Sequence, residues 1–312
     1  MLSLGRRLPA RFAVATTCVV ALTLCNAASS GTPGGRRVPE VGSAYSPAWS
    51  KDGKWIAFAA TKSRNASASL FLMRPDGSGL RRLTARGFDA GSPSWSPDGR
   101  SIAFDHREGP TSDVYAVDTT GGRPRLVASA AWSPAWGPGG RKVAFAEAAG
   151  DYGASIYVIS PDATGRRNVA DPRRDPEWDE TYFDPAWSPD GERLAFGINP
   201  APGEPAAFRY ALGAIDSYGG KIKELTGGSI AEPDWSPDGH RIAFSIWVEK
   251  ASATFIAFLD LRTRRIRYLR EGFGPSWSPD GRRLAFARST RAGKASVYVM
   301  NADGSSLRRL TG

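Results

Sequence analysis

"DPAWSPDGERLAF" spans residues 184–196, and near-copies of it occur five more times in this chain of 312 residues. The tryptophans of the P-x-W core are Trp49, Trp95, Trp136, Trp187, Trp235 and Trp277, at spacings of 46, 41, 51, 48 and 42 residues. Self-similarity at a period of about 40–50 residues is the signature of a propeller or a solenoid. The sixth unit, "PSWSPDGRRLAFARSTRAGKASVYVMNADGSSLRRLTG" (275–312), is β throughout. A short strand ends at Trp277, "SPDG" turns the chain, "RRLAFA" alternates as a second strand, and "SVYVMN" is a third. A hairpin at Asp303-Gly304 then feeds "SLRRLT". Four antiparallel strands per unit, six times over, predict an all-β six-bladed β-propeller across residues 45–312.

The repeated Asp has to be weighed as catalyst or scaffold. In Ser188-Pro189-Asp190-Gly191 the proline pre-sets φ, the glycine accepts positive φ, and the Ser and Asp oxygens can take up the turn's own amides. The third copy, "SPAWGPGGRKVAF", has Gly139 in place of the Asp, and the first has Lys51 in place of the Pro. A turn tolerates such exchanges and a six-fold catalytic carboxylate does not, so the Asp is read as scaffold. Pro185 and Trp187 share a side-chain parity, whereas Ala186 faces the other way. That suits wedge-shaped sheets packed round an axis.

The chain opens with Arg6, Arg7 and Arg11, then an apolar run from Phe12 to Leu24, then small residues with Ala27 or Ala28 as cleavage points. Residues 1–28 therefore read as a secretory signal peptide. The alternative is a lipoprotein signal with Cys25 as the anchored residue, although Leu24 stands where such signals favour a small side chain. Both cysteines, Cys18 and Cys25, fall in or beside the leader, so stability is not expected to rest on disulfides. Residues 29–44 are rich in small residues, Gly and Pro and read as a flexible linker. No later segment is long and apolar enough for a membrane helix.

The formal charge is +10; without the leader's three arginines, 38 basic residues face 31 acidic ones. Doublets at Arg81-Arg82, Arg166-Arg167, Arg264-Arg265 and Arg308-Arg309 sit at or near fourth strands. They are read as solvated charge that protects sheet edges from pairing. Such a dispersed ring is a poor groove for a nucleic-acid backbone, so no specific nucleic-acid partner is expected.

The repeats resemble TolB-type, WD-like propeller repeats. The likeness rests on "SPSWSPDGRSIAF" (92–104), "VYVMNADGSSLRRLTG" (297–312) and "FLMRPDGSGLRRLT" (71–84), and it covers about residues 45–312. It implies a propeller that docks a protein: in TolB, a periplasmic protein, an α/β domain precedes the propeller, which docks a peptidoglycan-associated lipoprotein. Here only the short linker lies between leader and first blade, so that α/β domain is expected to be lacking. The related propellers of prolyl-oligopeptidase-type peptidases accompany a Ser hydrolase, but no G-x-S-x-G elbow occurs in this sequence. Oligogalacturonate lyases carry a metal and a His cluster. This chain has His106 and His240, in different blades, and neither a metal site nor a cofactor is expected.

Function is expected on the face that carries the second-to-third-strand and blade-to-blade loops, because these vary in length and chemistry. Its most conspicuous segment is "ADPRRDPEWDETYFDPAW" (170–187). Arg173, Arg174, Glu177, Trp178, Asp179, Glu180, Tyr182 and Phe183 are the candidate partner-binding residues, against the alternative of an insertion whose aromatics tuck onto the blade. The residue before the first-strand proline is Ser46, Ser92, Ser133, Asp184, Glu232 and Gly274 in turn. With Asp234, this gathers Asp184 and Glu232 as channel-mouth carboxylates. They read either as a hydrated entrance balanced by arginines, or as a cation-, peptide- or sugar-directed site that a raised pKa would mark. Asp105, His106, Arg107, Glu108, Trp247 and Phe273 fall on the same face without an assigned role.

The leading expectation is an exported, non-catalytic, monomeric propeller that binds an envelope protein or peptide through this face. The alternative is a small propeller enzyme or binder acting on envelope polysaccharide at the acidic mouth. Each blade is complete in sequence, so blades one and six are expected to meet by packing, unless residues 36–44 add a strand to the sixth blade.

Overall fold

A computed structural model describes residues 41–312 apart from 64–65, 110, 150–152, 175–179, 201–209 and 291–292. The expected leader and all but the last residues of the linker lie outside the described residues. The strands form six antiparallel sheets, each of four strands consecutive in sequence. The blades span residues 43–82, 90–128, 131–170, 180–227, 230–271 and 273–309. In the first, β1 (Ser43–Trp49) is followed by β2 (Ile56–Thr61), β3 (Ser69–Met73) and β4 (Arg81–Arg82), laid down in that order. Among the described residues no helix is long and apolar enough to cross a membrane.

The repeated phrase builds the blade as its chemistry requires. Ser50 Oγ donates to Asp52 Oδ1 at 2.7 Å, the Lys54 amide donates to the same oxygen, and Gly53 takes φ +70°. In the third copy the turn closes without the carboxylate, through Gly137 N–H to Lys142 O at 2.8 Å and Gly140 N–H to Gly137 O at 3.0 Å. The turn aspartates are engaged in this local bonding, and Asp190 is held below the usual carboxylate range by the Ser188 hydroxyl and the Glu192 amide.

The two side-chain parities serve two different junctions. Trp187 packs into the cluster shared by blades three and four, and Ala186 into the one shared by four and five. Each of the six core clusters is shared in this way between neighbouring blades. Phe58, Phe104, Phe145, Phe196, Phe244 and Phe286, the last residue of each copy's apolar triplet, are fully buried among them.

The arginine doublets do more than guard edges. Arg81 Nη2 donates to the Thr119 carbonyl of the next blade at 2.6 Å, and Arg167 donates to the Ser217 and Tyr218 carbonyls at 2.7 and 2.6 Å. Arg125 reaches Pro161 O, Arg267 reaches Asp303 O at 3.2 Å, and Arg308 reaches Pro75 O. One register position on the outermost strand thus lashes each of five blades to the third hairpin of the next. Arg81 and Arg308 stay exposed on their edge strands, and they bond across the rim as well, because a guanidinium is long enough to cross it and has donors to spare for carbonyls. Arg264 and Arg265 lie in a hairpin, ahead of a strand that begins at Ile266.

Ring closure uses specific bonds as well as packing. The Trp49 amide donates to Ser276 Oγ at 3.1 Å, and the Ala295 amide donates to Ser43 Oγ at 3.0 Å. Among the described residues the sixth sheet holds four strands; Ser43 and Ala44 of the alternative 36–44 strand belong to β1, Val41 and Ala44 are buried in the closing cluster, and residues 36–40 lie outside the described residues. Because Arg308 spans the junction that no peptide bond secures, Arg308→Ala is expected to cost about 1 kcal/mol of stability. A fall in the urea midpoint relative to wild type would be the measurement, and an unchanged midpoint would contradict it.

Candidate functional site: the axial channel

The innermost strand of every blade carries a bulge where its ladder to the second strand shifts register. The residue at the break is Ser46, Ser92, Ser133, Asp184, Glu232 or Gly274, and all six have positive φ, between 44° and 61°. Left-handed backbone costs a non-glycine residue about 1–2 kcal/mol. Repeated in every blade, it kinks the strand at one level and leaves an amide unpaired there.

Three of those amides, of Ser133, Glu232 and Gly274, are taken up by carboxylates of the neighbouring blade. Asp105 Oδ2 accepts from Ser133 N–H at 3.1 Å, and Asp184 Oδ2 accepts from Glu232 N–H at 3.2 Å. Glu232 Oε2 accepts from Gly274 N–H and from the Ser245 hydroxyl, both at 2.7 Å. The Ser133 hydroxyl donates to Asp184 Oδ1 at 2.6 Å. One turn deeper, Asp234 Oδ2 accepts from Trp277 N–H at 2.6 Å, as Ser94 accepts from Trp136 and Ser276 from Trp49. Asp184, Glu232 and Asp234 do gather at the axis, and each is also a strut between blades.

These groups line a cavity of about 770 Å³ to which all six blades contribute. They lie deep in the ring, yet each keeps part of its surface on the lumen. Burial pushes Glu232 up to about 7, with the facing Asp184 carboxylate adding to it and the Ser245 hydroxyl and Gly274 amide opposing it. Burial pushes Asp234 up to about 6 against Lys51 and the Trp277 amide. Asp184 and Asp105 are raised by burial too, and Asp105 is opposed by the Ser133 amide, the Ser92 hydroxyl and Arg107. The expected balance by arginines is therefore partial: Lys51 acts on Asp234, Arg107 on Asp105, and no cation is among the groups that shift Glu232. Among the described residues no group of three or more His, Cys, Asp or Glu could hold a metal ion.

Asp105 is the member to which sequence reasoning gave no role. Its signal was present, because the residue after the buried Phe is Ala59, Ala146, Gly197, Ser245 and Ala287 in the other copies and charged only here. Tyr45, Trp132 and Phe273 also line the cavity, each half-buried.

The 170–187 segment divides. Glu177, Trp178, Asp179 and the Arg174 side chain lie outside the described residues. Arg173 sits in a short 3-10 turn, exposed, with Nε 2.8 Å from Asp171 Oδ1. Glu180 opens β13 (Glu180–Trp187), which lengthens the inner strand to eight residues where a loop was expected. Tyr182 is 2% exposed and packs on Phe196, with ring centroids 5.2 Å apart. It is withdrawn as a partner-binding residue, because strand alternation turns it into the core between blades three and four. The Phe183 ring is half-buried and packs over Gly197, where a Cβ would come within 2.4 Å of it. His240 is exposed in its turn, and His106 stacks on Phe88 at 3.9 Å.

Residues 198–312 match the family model described as the TolB beta propeller domain. Among solved structures, the chain is similar to TolB from Acinetobacter baumannii, with a TM-score of 0.64 and 21% identity, over 86% of this chain and 63% of that one. It is similar to a putative TolB from Agrobacterium tumefaciens at 0.63 and 20%, over 83% and 90%. An oligogalacturonate lyase in complex with manganese gives 0.55 and 14%, over 83% and 90%. No protein of curated function matches the sequence. At these identities the likeness is one of fold, and the chain is a six-bladed β-propeller that resembles the TolB-family propellers.

Proposed function

We propose that this protein is an exported, non-catalytic propeller that binds a protein or peptide partner at the cell envelope through its variable-loop face. The observation that carries the reading is the channel mouth, where Tyr45, Trp132 and Phe273 accompany the only partly balanced carboxylates Asp184, Glu232 and Asp234. Rigid aromatics beside unneutralised charge are the composition of a binding hot spot, and the partner element that fits is a basic peptide segment. The leader-like residues 1–28 and the TolB-like fold support an envelope location, periplasmic or extracellular, with lipid anchoring at Cys25 as the alternative mode of retention. Capture from envelope extract at moderate salt is the test. One stoichiometric protein held by wild type and lost from Trp132→Ala/Phe273→Ala supports the reading. Salt-sensitive capture of many species by both proteins contradicts it.

A second reading, an enzyme or binder acting on envelope polysaccharide, is favoured by one observation. A carboxyl raised to about 7 beside further carboxylates suits a general acid at neutral pH. Polysaccharide turnover abolished by Glu232→Gln would select it.

A further inference from the structure

The six outer edges are not equivalent. The fourth strand and the hairpin that leads into it carry two or three basic residues in each of the other blades and five in blade five. These are Arg262, Arg264, Arg265, Arg267 and Arg270, all exposed, in the turn between β19 (Ala253–Asp260) and β20 (Ile266–Glu271) and in β20 itself. The two acids that flank them are engaged. Asp260 Oδ1 accepts from the Thr263 amide at 2.6 Å and the Thr263 hydroxyl at 2.8 Å, and Glu271 pairs with Arg288 of blade six at 3.6 Å. The side chains of Arg264 and Arg265 make no hydrogen bond or ion pair among the described residues.

Arg264 is also strained. Its amide donates to Asp260 O at 2.8 Å, and its φ is +61°, in the left-handed region. Each of the other five hairpins has a glycine in that region: Gly77, Gly121, Gly165, Gly219 and Gly304. A glycine would close this turn without the backbone cost that a β-carbon brings there. The turn bears that cost for a guanidinium that bonds to nothing in the described chain.

The hairpin lies on the face opposite the variable loops, where Leu261 N–H donates to His240 O of the blade's own repeated turn at 2.9 Å. Arg267 and Arg270 donate to the Asp303 and Gly304 carbonyls of blade six at 3.2 and 3.1 Å, which fixes the strand beneath the turn. None of the five arginines lines the channel, and together they make a convex cationic edge. Tyr268, between them in β20, is 52% exposed. Guanidinium groups pair with phosphate oxygens in a forked geometry, and amphipathic rings settle at the headgroup level of a bilayer. A convex edge meets a plane of phosphates, whereas a nucleic-acid strand is held in a groove.

We propose that blade five docks this protein on an anionic phospholipid surface, with Arg262, Arg264 and Arg265 on the headgroup phosphates and Tyr268 at the interface. The channel mouth then faces away from the bilayer and stays open to a partner.

The test is co-sedimentation of the full chain with vesicles of phosphatidylglycerol and phosphatidylcholine, against phosphatidylcholine alone, at about 0.1 M salt. Residues 1–28 are common to all variants, so differences among variants report the hairpin. Arg264→Gly is expected to raise the melting temperature and yet to weaken binding to the anionic vesicles about fivefold. Arg262→Gln/Arg264→Gly/Arg265→Gln is expected to weaken it about a hundredfold. Arg123, Arg141 and Lys221 are exposed cations in other blades, and changing all three to Gln removes the same charge. That control is expected to lose less than about fivefold. Equal losses in the two triple variants, or anionic vesicles held by the hairpin variant as by wild type, would overturn the proposal. So would displacement by millimolar inorganic phosphate, which means a site for a single anion. Tighter binding of a DNA duplex than of vesicles, lost in the hairpin variant, would assign the edge to nucleic acid instead.

Discussion

Replacing Phe58 by Ala is expected to cost about 4 kcal/mol, the largest effect of any single substitution considered for this ring. Phe58 is fully buried in the cluster that joins the ends of the chain, where Val41, Ala44, Trp49 and Ile56 meet Ala285, Val297, Val299 and Leu310. The cost combines lost transfer of the ring from water with a cavity that flanking strands cannot close. Both neighbours are sheets pinned by ladders, which limits relaxation. Phe145→Ala, at the junction of blades two and three, is the matched control because a continuous chain secures that junction. Equilibrium urea unfolding should show the Phe58 variant losing at least as much as the Phe145 variant. A markedly smaller loss at Phe58 would mean that the closing cluster is not what holds the ring.

Glu232→Gln is expected to act in the opposite direction, stabilising the protein above neutral pH. The carboxyl is raised from an ordinary value of 4.5 to about 7 in the fold, so the folded chain binds the proton more tightly than the unfolded one. Its contribution is fully present below about pH 4.5 and is lost as the pH climbs through about 7. Full linkage would amount to about 3 kcal/mol, and the part of the side chain open to the lumen reduces this to about 2 kcal/mol. Gln keeps an acceptor for the Gly274 amide without the charge. Melting curves of the two proteins should therefore coincide near pH 4 and separate by pH 8, with the variant higher. A variant less stable than wild type at pH 8 would mean that the ionised carboxylate is worth more as an acceptor than it costs to bury. Asp234 adds a loss of the same sign in a lower window, from its ordinary 3.8 up to about 6.

The comparison between sequence and structure divides by range. Everything carried by short segments was legible: the six-fold period, the strand alternation that sends Trp187 and Ala186 to different junctions, and the turns of the repeated phrase. These depend on local backbone preference and on side chains a few residues apart, and six copies make the pattern hard to misread. Asp184, Glu232 and Asp234 could be placed at the axis because the two register positions that flank the first-strand proline, known in one blade, are known in all.

Tertiary structure alone decided the rest. Tyr182 looked like part of a loop until β13 proved to begin at Glu180, since the length of an inner strand is set by what the neighbouring blade covers. The arginine doublets looked like edge charge because the acceptors of Arg81 and Arg167 are carbonyls 38 to 51 residues away in the next blade, with the one from Arg308 lying across the closure of the ring. The role of Asp105 and the raised carboxyls are of the same kind. A pKa or an inter-blade bond is a property of groups that meet only when the ring closes, and the amino-acid order fixes who those groups are without stating that they meet.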